Sequence, residues 1–161
     1  MNRRTFVKQG VTGAAVLSSL STFGAPSVLR SLRSPNETIH LGVIGCNGMG
    51  WSNIRSHLNM PGVDCIAICD IDQHVIERRV ADYGKMRDNP VSTYGDYRKL
   101  LENVDVDAVV IGTPDHWHCK IMVDALQAGK HVYVEKPLAN SIHECMIMQR
   151  AAEQYVPGSH Y

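Results

Sequence analysis

The run Ile39-His40-Leu41-Gly42-Val43-Ile44-Gly45-Cys46-Asn47-Gly48-Met49-Gly50 is a short apolar strand that passes directly into a glycine-rich turn. The residues after it, with Ile54 and Leu58 four apart, have helical spacing. Strand, glycine turn and helix in that order predict the first unit of a parallel α/β sheet. Such a turn also suits a diphosphate. Glycines allow a tight bend and close backbone approach, and the free N–H groups and dipole of a helix N-terminus favour negative charge. Gly45, Gly48, Met49 and Gly50 would meet the phosphates. Asn47 stands where the strict G-x-G-x-x-G pattern has its second glycine. Asn is the next best residue at positive φ, although a side chain there crowds the phosphates.

The same alternation continues along the chain. Further strands are expected at 63–69, 91–94, 108–112 and 131–134, each followed by a helix. The helices carry apolar residues three or four apart: Ile76, Val80 and Tyr83; Tyr97, Leu100 and Leu101; Ile121, Met122, Ala125 and Leu126; Ile142 and Met146. One stripe of each is expected to face the sheet. Gly129 reads as a helix C-cap, and Ser141 with Glu144 reads as a capping box. Five such units over 37–155 predict a Rossmann-like doubly wound parallel sheet with helices on both faces. Ligand is then expected at the carboxyl ends of the strands, where the winding reverses.

Asp70 closes the second strand 20 residues after Gly50, where a carboxylate accepts hydrogen bonds from adenosine ribose hydroxyls. The same charge repels a 2′-phosphate and no Arg directly follows it, which favours NAD over NADP. The alternative for Asp70 is an N-cap of the next helix, a role that Asp72 fills equally well. Two more segments sit at the ligand-binding edge: Thr113-Pro114-Asp115-His116-Trp117-His118 after the fourth strand and Glu135-Lys136-Pro137 after the fifth. Trp117 reads as packing or as a substrate platform, and the sequence does not choose.

His116 and His118 are two apart at the start of a helix, so they point different ways and do not suggest a metal site. The five cysteines form no C-x-x-C pair. Cys65 and Cys69 are expected on one face of the second strand as small apolar core residues, in preference to a disulfide.

With the segment Ala125-Leu126-Gln127-Ala128-Gly129-Lys130-His131-Val132-Tyr133-Val134-Glu135-Lys136-Pro137, the chain from about 38 to 155 resembles the glucose-fructose oxidoreductase, inositol dehydrogenase and rhizopine catabolism (Gfo/Idh/MocA) family. The resemblance implies a nicotinamide cofactor along 45–50 with Asp70 on its ribose. It places Thr113, Pro114 and His118 near the nicotinamide half, and Glu135 and Lys136 beside the reacting carbon. In such enzymes a sugar or polyol carbon exchanges a hydride with the nicotinamide while a base takes the hydroxyl proton. Lys136 is the expected catalytic residue, a partly buried Lys that orients or polarises the hydroxyl. A surface Glu-Lys pair before a turn proline is the structural alternative.

Family members continue into a second, mostly antiparallel domain that supplies a catalytic His from an Asp-x-x-x-His pattern. The match at Asp70 to His74 lies at the ribose end and cannot play that part. The substrate domain is therefore expected to be absent, with 156–161 an irregular tail interrupted by Pro157 and Gly158. Such a chain is expected to be inactive alone, to expose apolar surface and to self-associate; the full-length protein is expected to form a homo-oligomer. Two other readings stand beside the oxidoreductase: a noncatalytic cofactor-binding module, and NAD-dependent glycoside hydrolysis. The latter ranks lower because Glu135-Lys136-Pro137 and the Asp-His-Trp-His run look more like the oxidoreductases.

Residues 1–36 read as an address. Asn2-Arg3-Arg4-Thr5-Phe6-Val7-Lys8 followed by a soft apolar run from Gly10 to Phe23 resembles a twin-arginine signal peptide. That implies export to a periplasmic or extracellular location, with an uncleaved anchor left open. The route carries folded proteins, which fits a tightly held cofactor. The formal net charge is zero, yet no acidic residue precedes Glu37. The remainder holds 11 Lys and Arg against 16 Asp and Glu, a charge of −5 that argues against nucleic acid as partner.

Overall fold

A computed structural model describes residues 38–155. The leader expected over 1–36 and the tail at 156–161 lie outside the described residues. Five parallel strands form one sheet: β1 (Ile39–Ile44), β2 (Val63–Cys69), β3 (Ser92–Tyr94), β4 (Ala108–Ile111) and β5 (His131–Val134). The helices are α1 (Gly48–His57), α2 (Gln73–Gly84), α3 (Tyr97–Leu101), α4 (His118–Gln127) and α5 (Ile142–Tyr155), with a 3₁₀ turn at Asp115–Trp117 ahead of α4. Strand order is β3-β2-β1-β4-β5. The winding thus reverses between β1 and β4, the Rossmann arrangement expected from the alternating pattern. The third strand begins one residue inside its expected bounds, and the fourth ends one residue inside. Gly112 leaves β4 because it turns against α1.

The sheet carries a core on each face. Leu41, Val43, Cys65 and Ile68 pack with Trp51 and Ile54 of α1 and Val75 and Tyr83 of α2. On the other face Ile44, Ala67, Cys69 and Ile111 pack with Leu100 of α3 and Ile121 and Ala125 of α4. Cys65 and Cys69 therefore lie on opposite faces, contrary to the expectation from strand period. The cause is a bulge: Leu41 pairs with Cys65 but Gly42 with Ala67, leaving Ile66 unopposed. One extra residue reverses the in-out alternation beyond it. All five cysteines are free thiols.

Two helical stripes also differ from expectation. Val75 is buried in α2 while Val80 is 36% exposed, and in α5 Ile142 is 82% exposed while Met148 and Ala151 are buried. Three-four spacing fits either phase in these helices, and the phase facing a neighbour is the one buried. For α5 that neighbour is α4. The caps behave as read. Gly129 takes φ 72°, and Lys130 N–H donates to Ala125 O at 3.0 Å. Ser141 Oγ accepts from Glu144 N–H at 3.2 Å, and Glu144 returns the bond to Asn140 N–H at 3.0 Å, one residue upstream of the usual box.

The ends of β1 and β4 and the start of α1 meet backbone against backbone. Gly45 has φ 78°. A Cβ on Gly50 would stand 1.9 Å from the Gly45 carbonyl oxygen, and one on Gly112 2.4 Å from Gly50 Cα. Neither neighbour can yield without moving main chain. Gly50→Ala is accordingly expected to cost at least about 2–3 kcal/mol, read as a lower urea midpoint. Gly84→Ala, at a helix end with nothing within 4 Å of the added carbon, is expected to be neutral or to stabilise by up to about 1 kcal/mol.

Candidate functional site

A cleft of about 590 Å³ lies over the carboxyl ends of β1, β2 and β4. Gly45, Asn47, Asp70, Thr113 and Pro114, all singled out from sequence, line it. At its floor the N-cap position of α1 is filled by Asn47, whose side chain makes no capping bond. The first N–H groups of α1 are thus left for another acceptor. Gly48 beside them has nothing within 4 Å of where a Cβ would be, and Met49 is 53% exposed. Asn47 is not in the positive-φ conformation its place in the motif suggested. Its backbone is extended (φ −77°, ψ 178°), because Gly45 and Gly48 absorb the left-handed turns on either side. Its amide oxygen accepts from Arg78 Nη2 at 3.0 Å.

Asp70 borders the turn. Its Oδ2 accepts from Cys46 N–H at 3.0 Å and its Oδ1 from Asp72 N–H at 3.1 Å. Asp72, and not Asp70, caps α2 by accepting from His74 N–H at 2.9 Å. The Cys46 thiol also donates to Oδ2 at 3.6 Å, so Oδ1 is the oxygen that retains a second lone pair for a hydroxyl donor. The thiols nearby are not nucleophiles. Burial, reinforced by Asp70, pushes Cys46 up to about 12, and Cys69 is raised to about 12 by the same two causes.

The loops after β4 and β5 are tied together by His118, which is 1% exposed. Its Nε2 lies 2.8 Å from Thr113 O and its Nδ1 2.9 Å from Pro137 O. A carbonyl only accepts, so in each contact the ring nitrogen is the donor side. His118 therefore braces the two loops with both its polar atoms instead of presenting one to the cleft. His116 and Trp117 do line the cleft. The Thr113 hydroxyl oxygen is buried and has no partner among the described residues.

Glu135 and Lys136 stand at the carboxyl end of β5, one of the two edge strands. Glu135 Oε2 accepts from Asn53 Nδ2 of α1 at 2.6 Å, and Oε1 from Lys136 N–H at 2.9 Å. The Lys136–Pro137 peptide is cis. Lys136 is exposed, not partly buried as expected, because no described element covers the end of β5.

Sequence reading missed Asn53, Arg78 and the wall formed by Asp96, Tyr97 and Arg98. Gly95 and Asp96 directly after the third strand were the available signal, since a capping Asp at a sheet's carboxyl edge faces the ligand side. Asp96 caps α3 and pairs with Arg98 at 2.8 Å, which holds its carboxyl below the ordinary range. Burial and the Asp124 carboxylate push Tyr97 up to about 12, so this phenol is no base near neutrality.

The hydrogen bond from Asn53, then that from the Lys136 N–H, hold the Glu135 carboxyl below its ordinary value against a small opposing effect of burial. A depressed carboxyl contributes stability above its ordinary titration range and loses it as pH falls through the folded value. In Asn53→Ala the Glu135 carboxyl carbon should titrate at higher pH by NMR than in the parent chain.

The described fold agrees with known proteins. The model for "Oxidoreductase family, NAD-binding Rossmann fold" (Gfo/Idh/MocA) matches residues 39–156. An alpha-N-acetylgalactosaminidase from Shewanella oneidensis is 33% identical over 171 aligned residues, covering 96% of this chain and 37% of its own length. The WlbA dehydrogenase from Chromobacterium violaceum, solved with NADH and UDP-GlcNAcA, superposes with TM-score 0.65 at 25% identity, covering 76% of this chain and 34% of that one. The 3-ketoreductase KijD10 from Actinomadura kijaniata, solved with TDP-benzene and NADP, gives TM-score 0.65 at 28% identity, covering 74% and 36%. This chain thus spans about a third of the length of the relatives it matches. A strand-turn-helix with an uncapped helix start, a carboxylate at the end of β2 and a family match across the whole described domain place it together: the chain belongs to the Gfo/Idh/MocA oxidoreductase family, as an NAD-binding Rossmann domain.

Proposed function

We propose that this chain carries the cofactor-binding part of an exported enzyme that exchanges a hydride between a sugar or polyol carbon and NAD. The observation that carries this is the uncapped start of α1, open beside Gly48 and flanked by Asp70. Two phosphates fit there against free N–H groups, and the unpartnered Thr113 hydroxyl offers a further bond on the facing wall. The nicotinamide supplies the hydride acceptor or donor. Asp70 accepts from the adenosine ribose, and its charge disfavours a 2′-phosphate, which supports NAD over NADP. Pro114 shapes the nicotinamide side, with His118 fixing its loop. Lys136, held in place through Glu135 and Asn53, orients the substrate hydroxyl and takes part in moving its proton.

Export rests on the twin-arginine pattern at the N-terminus. The Shewanella oneidensis relative aligns over 96% of the chain, more than the described domain alone, which supports a shared leader. Substrate closure and oligomer formation are assigned to a second domain in the full-length protein.

A second reading has its own support. That same relative is an alpha-N-acetylgalactosaminidase, which favours glycoside cleavage through transient oxidation of the sugar, with the cofactor restored each turn. For the full-length protein the two separate cleanly. Net absorbance at 340 nm that follows a polyol or sugar supports the dehydrogenase, and released sugar without net NADH supports the hydrolase.

The cofactor assignment is tested by titrating the chain with NAD and NADP and following tryptophan fluorescence. Saturable binding tighter for NAD is expected, and Asp70→Ser should reduce that preference at least about tenfold. Absence of binding to either dinucleotide would sink this reading.

A further inference from the structure

We propose that Arg78 is a cofactor-holding residue whose guanidinium, kept at the glycine turn by Asn47, meets an oxygen of the dinucleotide's diphosphate. The inference rests on the dinucleotide reading above and adds a residue that the glycine motif does not contain.

Two consecutive arginines of α2 reach back to the turn, and they are not equivalent. Arg79 is engaged by three partners, one of them a carboxylate. Its Nε donates to Cys46 O at 2.9 Å, its Nη1 pairs with Asp82 at 2.9 Å, and its guanidinium lies 5.2 Å from the centre of the Trp51 ring. Arg78 donates to the neutral amide oxygen of Asn47 at 3.0 Å and is exposed. Among the described residues no carboxylate pairs with it, so its charge is not neutralised locally. A guanidinium has five N–H donors, and this contact uses one.

The place where that uncompensated charge stands gives it meaning. Asn47 occupies the N-cap position of α1, directly before the free N–H groups of the first turn. A diphosphate seated there brings two negative charges. The helix start offers partial positive charge, and a fork of guanidinium donors meets phosphate oxygens with good geometry. Thr113, on the same cleft, adds an independent sign of a polar occupant through its buried, unpartnered hydroxyl. The departure at Asn47 then has a physical reason. In place of a bare glycine it supplies an amide whose oxygen holds a cation beside the turn.

The diphosphate is favoured over a 2′-phosphate by position. The ribose end is marked by Asp70, and Arg78 makes no ion pair with that carboxylate. A 2′-phosphate would sit against the Asp70 carboxylate, which repels it, whereas Arg78 is held by Asn47, the residue directly before α1.

The test uses the full 161-residue chain. NAD and NADP are titrated into the parent, Arg78→Gln, Arg78→Lys and Asn47→Gly, with circular dichroism and thermal melting as fold controls. Arg78→Gln should weaken both dinucleotides alike, by roughly ten- to hundredfold, with an unchanged melt. Arg78→Lys should recover part of the loss. Asn47→Gly should weaken binding several-fold, since Arg78 loses its holder. Three outcomes overturn the proposal while leaving the dinucleotide reading intact: equal affinity in Arg78→Gln and the parent, loss confined to NADP, or tighter binding in Asn47→Gly. Failure of the parent to bind either dinucleotide defeats that reading and this inference together.

Discussion

The structure depends on one close approach: the main chains of Gly45, Gly50 and Gly112 touch with no room for a side-chain carbon between them. This contact seats the start of α1 against the ends of β1 and β4, at the point where the winding of the sheet reverses. Strand ends that diverge there open a cleft, and the contact fixes its floor. Asp70 reaches the same turn through Cys46 N–H, so the neighbouring strand is locked to it as well. A ligand-binding edge of this kind is built from backbone, and that explains why so much of it is glycine.

The rest of the cleft is held by side chains that join separate units of the fold. His118 spans the loops after β4 and β5, Asn53 links α1 to Glu135, and Arg79 links α2 to the turn. All but the bond from His118 to Thr113 connect segments 19 or more residues apart. Their joint effect is to place the residues around the cleft in one frame before any ligand arrives, which lowers the ordering cost of binding.

Much of this was legible in the residues. β-branched runs separated by helical spacing located three strands to the residue, and the glycine turn with Asp70 twenty positions on located the edge where the cleft lies. The misreadings have a common source. The bulge at Ile66 and the phase of α5 are settled by which neighbour packs against them, and local periodicity contains no such information. Lys136 was read as partly buried from its motif, yet burial depends on what covers the end of β5. Arg78 and Asn53 carried no motif at all. They matter because α2 and α1 bring them to the site, a fact of tertiary placement.

Cys46 illustrates how the turn protects itself. Its side chain is fully buried within the glycine turn, and with Asp70 alongside, its proton is held to about 12. Peroxides and alkylating reagents attack the accessible thiolate. A thiol that is neither accessible nor ionised at neutral pH behaves chemically like a methyl-sized filler, so the turn can carry cysteine among its glycines without becoming a point of oxidative damage.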